Sequence, residues 1–238
     1  MIAALDLGLD WLMAYQRPFR REVTRDGLLA VAPVSALFVL LTLVVSGLWR
    51  EGTTHAAVAA CCAWRATDLP RRVLLPLAGS AFLVRRPVEA AWTVAAGWLL
   101  LGPLEAAVGG HRLLAIGAFG HAVPTVLVDL AWLAGPRAGE GLAGLDVGTS
   151  AVVVAAATAL ASWSRSAPLA AVLAAGVAVD LATTPNLASA EHLVAVAVGA
   201  AAVLDPGTLR PAAWTRRAQV RRAQVRRATP APILTWRR

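Results

Sequence analysis

The apolar positions of this chain fall in long unbroken runs, not in the alternation of a half-buried strand or the one-sided stripe of a soluble helix. Leu28 to Trp49 carries no charged residue at all. Runs of about 17–24 residues match the roughly 30 Å hydrocarbon core at 1.5 Å per residue. Six are expected to be spans: 28–49, 87–104, 113–134, 147–163, 168–184 and 188–204. Pro33 falls in the first turn of the first run, where N–H groups have no helical partner, and Trp49 closes its far end. The breaks between the later runs are short or glycine-rich: Gly109-Gly110-His111-Arg112, residues 135–146 and Ser164-Arg165-Ser166. Asp205-Pro206-Gly207 stops the last.

Residues 51–86 do not fit this alternation. They are too polar to be one span and too apolar to be a plain loop. Thr67-Asp68-Leu69-Pro70 is a helix-start signal, and the apolar stretch Val73 to Val84 is too short to cross, so a re-entrant or interfacial helix is expected there. Residues 1–27 place acids at Asp6 and Asp10 and end in Arg17, Arg20, Arg21 and Arg25. A secretory signal would put its basic residues before the apolar stretch, so the segment reads as a cytoplasmic amphipathic lead-in with Trp11 and Tyr15 at the interface.

Composition agrees with the pattern. Hydrophobic residues make up 58% of the 238 and charged ones 15%, against about 25% charged in soluble domains. Every basic side chain is Arg, and the net charge is +8. Six spans with both ends inside put fifteen of the twenty-two arginines on the cytoplasmic side. The expected organisation is therefore a lead-in over 1–27, a six-helix membrane domain over 28–205 and a basic cytoplasmic tail over 206–238. The tail repeats Arg-Arg-Ala-Gln-Val from Arg216. A five-residue period walks around a helix, so the repeat reads as a topology determinant lying on anionic lipid, with no nucleic-acid partner expected. Adjacent Cys61 and Cys62 suit neither a disulfide framework nor a spaced metal site, and no metal or other cofactor is expected.

Ionisable groups inside an apolar run are costly and mark candidate sites. They are His121 and Asp129 in the third run, Asp180 in the fifth, and Glu191-His192 at the start of the sixth, with Gly148-Thr149-Ser150 opening the fourth. Runs four and six are separated by one span, so they are parallel, and Ser150 and His192 share a depth about one turn into each. Serine becomes a nucleophile when a base takes its proton, and imidazole is the usual base. Gly148 would permit close approach, Ala195 and Gly199 form a small face beneath the histidine, and the helix N-terminus supplies N–H groups for an oxyanion. Asp146 would cap the fourth helix. Glu191 could orient His192, and His121, Asp129 and Asp180 are expected to bond neighbouring helices.

Four stretches in order resemble the rhomboid family of intramembrane serine proteases, in particular its divergent actinobacterial branch. They are residues 66–82, Leu101-Gly102-Pro103-Leu104-Glu105 with Gly109 (similar to G-x-x-E-x-x-x-G), Gly148-Thr149-Ser150 after Asp146 (similar to G-x-S), and His192 with Gly199. The resemblance implies an all-α, six-transmembrane-helix bundle with a partly embedded first outer loop, in a bacterial plasma membrane. It implies Ser150 as nucleophile and His192 as base, a dyad without a third acid, acting on transmembrane protein substrates. Ala151 stands where the family's motif has a second glycine, and Ala90 and Val94 stand about where many members carry oxyanion donors. A rhomboid-like protein that binds client helices without cutting them is therefore the alternative, with a small transporter third.

Overall fold

The computed structural model describes residues 16–65, 73–135, 148–183 and 186–203. Every regular element among them is a helix. Residues 16–26 form α1, and Leu28–Val31 a single turn, α2. Then come α3 (Pro33–Arg50), α4 (His55–Cys62) and α5 (Leu74–Ser80). The next rod is α6 (Pro87–Ala96) and α7 (Gly102–Val108), continuous through a π-helical turn over Gly97–Leu101. The remaining described helices are α8 (Gly110–Ala134), α9 (Thr149–Ser164), α10 (Ala167–Thr183) and α11 (Leu187–Ala201). Among the described residues three helices are long and apolar enough to cross a membrane: Pro33–Arg50, Pro87–Val108 and Gly110–Ala134. The last three are apolar but shorter.

Most of the expected runs are helices, with shifted ends. α8 starts at Gly110 because Gly109 sits at φ 91°, a conformation that breaks the rod before it. The stretch Val73 to Val84 holds less helix than expected, seven residues, and α4 precedes it as a second short helix. The two press together at Gly79, where a Cβ would stand 2.6 Å from the Cys61 carbonyl oxygen. Cys61 and Cys62 are free thiols 2.9 Å apart, and burial, followed by the hydrogen bond and charge of its neighbour, pushes Cys62 up to about 12. A thiol held protonated in this way is a poor nucleophile. The signal at residues 67–70, the Asp146 cap, Trp11, Tyr15 and the arginine repeats of the tail lie outside the described residues.

The lead-in is docked onto the bundle where it is described. Phe19 is fully buried with its ring against Gly102, and it meets Trp98 edge-on at 5.4 Å. Gln16 Nε2 donates to the Leu99 carbonyl at 2.6 Å, taking up a backbone acceptor in the π turn. At the same end Glu105, 3% exposed, accepts from Val34 N (2.9 Å), Ser35 N (2.7 Å) and Ser35 Oγ (2.8 Å). One carboxylate thus satisfies the open N–H groups at the start of α3 and joins that helix to the end of α7.

α9 forms the centre. Ala151, Ala155, Ala156 and Ala159 pack with Ala195 of α11, Leu113 and Ile116 of α8, and Leu101 and Leu104. Small residues carry this core because helices in an apolar solvent associate through close van der Waals fit. Gly120 of α8 meets the Ala155 side chain, and Gly199 of α11 meets the Ala155 carbonyl, so α9 is gripped from both sides at one level.

Polar latches fasten residues 55–65 and 73–84 across one end of this core. Trp64 Nε1 donates to Asp129 Oδ2 at 2.6 Å. His121 Nε2 lies 2.7 Å from the Leu77 carbonyl and 3.0 Å from Ser80 Oγ. A carbonyl only accepts, so Nε2 carries the proton and the Nδ1 lone pair is left facing Gly148. Thr149 Oγ1 lies 3.0 Å and 3.1 Å from the carbonyls of Ala81 and Leu83, and Val84 N donates to Ser46 Oγ at 3.0 Å. His121 and Asp129 thus bond neighbouring elements, as their burial within an apolar helix requires.

Candidate functional site

Ser150 is the second residue of α9 and His192 the sixth of α11. The two residues touch, so α9 begins about 6 Å, roughly one turn, deeper than α11. Its start is sunk beneath residues 81–84, to which the neighbouring Thr149 is bonded. The expectation of equal offsets within the two helices is corrected in this respect. The α11 start is fixed by Asn186, whose side-chain oxygen accepts from Ser189 N at 3.0 Å.

Ser150 Oγ lies 2.8 Å from His192 Nε2, and the serine is exposed. On the far side of the ring, His192 Nδ1 lies 2.8 Å from Asp180 Oδ2, with side-chain exposures of 17% for the histidine and 35% for the aspartate. Serine, imidazole and carboxylate therefore stand in line, each within hydrogen-bond reach of the next. Ser150 also lies in the first turn of α9, where the helix dipole is positive and the Ala151 and Val152 N–H groups share one acceptor, the Gly148 carbonyl, at 3.1 Å and 3.4 Å. Such a helix start can hold an oxyanion that develops beside the serine.

The seam between α9 and α11 makes this contact possible. Ala195 is fully buried one turn below His192, and Gly199 a further turn down meets the α9 backbone. At Gly148 the close approach is made by the His121 ring of α8. A side chain there would collide with the imidazole, so Gly148 lets α8 hold the serine turn in place. Glu105 is not part of the site. It lies eighteen residues along the rod from Pro87, about 27 Å, at the opposite end of the bundle. Its work is the cap on α3. Glu191, which could have oriented His192, is buried at 2% exposure, and the imidazole Nδ1 bonds Asp180. Successive helix residues point about 100° apart, so Glu191 and His192 face different neighbours.

Asp180 is the member that the run-by-run reading left without a role at the serine. A signal was present. Asp180 lies in the last turn of α10, which ends at Thr183, and His192 in the second turn of α11, which begins at Leu187, and antiparallel neighbours in the chain bring such turns together. Among the described residues no cluster of three or more His, Cys, Asp or Glu could hold a metal ion. No family model matches the chain, and neither does any curated protein or solved structure.

Proposed function

We propose that this is a membrane-embedded serine hydrolase, a rhomboid-like protease of six spans that cuts transmembrane proteins near the ends of their spans. The observation that carries the reading is the 2.8 Å contact between Ser150 Oγ and His192 Nε2, with the serine open to approach. In the acylation step Oγ bonds the scissile carbonyl carbon, its proton passes to Nε2, and the carbonyl electron pair moves to an oxyanion at the α9 N-terminus. Collapse expels the amine, which takes the proton back from Nε2; water then repeats the sequence on the acyl-enzyme.

The short last three helices support placement in a bilayer at this depth. α9 has sixteen residues, about 24 Å of rise, and its N-terminus is covered by protein where a longer helix would meet the headgroups. The arginine distribution supports a reading with both termini inside and the serine toward the outer face of a bacterial plasma membrane. The test is covalent labelling by a fluorophosphonate in nanodiscs. Wild type is expected to label at Ser150; Ser150→Ala is expected to lose the label, with its unfolding midpoint within a few degrees. Folded wild-type protein that never labels at Ser150 sinks the hydrolase reading.

A second reading, helix binding without cleavage, is favoured by apolar Ala90 and Val94 near where related proteases carry oxyanion donors, and by Ala151 after the serine. It predicts that wild type and Ser150→Ala capture the same transmembrane clients intact, whereas cleavage predicts intact client only with the variant.

A further inference from the structure

We infer that Asp180 is a positioning residue for His192, so that the base is oriented by a carboxylate from α10. The inference rests on the serine hydrolase reading and adds a third member to the pair. A neutral imidazole carries one ring proton, and only the tautomer with that proton on Nδ1 leaves Nε2 free to accept from serine. Asp180 Oδ2, 2.8 Å from Nδ1, accepts that proton's hydrogen bond and selects this tautomer. When Nε2 takes the serine proton, the ring becomes a cation and the carboxylate stabilises it, remaining ionised throughout.

The placement of the acid argues against an incidental contact. Asp180 is the single ionisable residue in α10, a helix otherwise of apolar residues, one glycine and a terminal Thr183. An acid in such a helix is costly and persists where a partner compensates it. Of the seventeen residues of α10 only Val177 is buried, so packing of the helix does not by itself dictate a polar group here. The carboxylate nevertheless falls on the imidazole nitrogen remote from Ser150, in line with the serine contact.

The full chain in nanodiscs provides the test, with a fluorophosphonate as probe. Its reaction forms the Ser150 Oγ–P bond, expels fluoride and sends the serine proton to Nε2. Asp180→Asn, which keeps the shape and a hydrogen-bonding side chain, is expected to label about 100-fold more slowly or worse, with an unchanged unfolding midpoint. ¹⁵N spectra of His192 are expected to show Nδ1 protonated and Nε2 unprotonated in wild type, and a mixture of tautomers in Asp180→Ala. A merely structural tie predicts wild-type labelling by Asp180→Asn, and that result overturns the inference. So does a wild-type ring proton on Nε2. If wild type does not label, the hydrolase reading fails; the tautomer spectra then still decide whether Asp180 orients the ring.

Discussion

α9 and α10 are adjacent in the chain, nearly equal in length and written in the same alphabet of Ala, Val and Leu. α9 nevertheless buries ten of its sixteen residues and α10 one of its seventeen. Val172 and Val179 of α10 are more than half exposed, while Ala155, Ala156 and Ala159 of α9 are fully enclosed. Hydrophobicity does not separate the two, because lipid tails are as apolar as a protein core and exert no inward sorting. What separates them is fit. α9 offers alanines to glycines on both sides, Gly120 and Gly199; nothing lies within 4 Å of where a side chain on Gly176 of α10 would stand. The site draws on both kinds of helix, its nucleophile from the enclosed one and its acid from the peripheral one.

The sharpest way to break the comparison is at Gly199. Gly199→Leu drives a side chain into the Ala155 carbonyl and Thr158, parting α11 from α9. We expect a loss of about 3 kcal/mol or more, at the upper end for overpacking, and abolished labelling of Ser150. Denaturation in mixed micelles together with probe labelling reads both. Next comes Gly148→Ala, which meets the His121 ring. Its expected cost is about 1–3 kcal/mol, with slower labelling as the serine turn shifts. A variant as stable and reactive as wild type would remove α8 from the account of the site.

Trp64→Phe leaves the buried Asp129 carboxyl without its 2.6 Å donor. A loss of about 1–3 kcal/mol is expected, accompanied by faster hydrogen exchange over residues 55–65 than over α9. Equal protection in both regions would mean that the latch does not hold the segment. The smallest effect is expected at Gly176→Ala, which enters open space on a helix and should stabilise by up to about 1 kcal/mol through propensity alone. The same residue type, changed at 176 and at 199, should thus move the unfolding midpoint in opposite directions. Parallel movement would refute the division into an enclosed helix and a peripheral one.

Much of this was readable from residue order. The apolar runs located the helices, because run length against bilayer thickness is a local quantity. The pairing of Ser150 with His192 was also readable, since two helices separated by one span are parallel and their starts lie at one end. The work of Glu105 was not readable: its motif stands out in the sequence, but the sequence does not say which backbone groups the carboxylate caps. Gly148 was readable as a close approach but not its partner, His121, because which helix fills a notch depends on rotation about axes that no local pattern specifies.

The sequence by itself determined where the helices are and that a serine and a histidine open two parallel ones, because these follow from local apolar length and from counting turns. The tertiary structure decided which apolar helix is enclosed, that α9 starts a turn below α11 beneath residues 81–84, and that Asp180 rather than Glu191 meets the imidazole. Those outcomes depend on side-chain fit between helices distant in the chain, a property of pairs of surfaces that composition and period along a single segment do not contain.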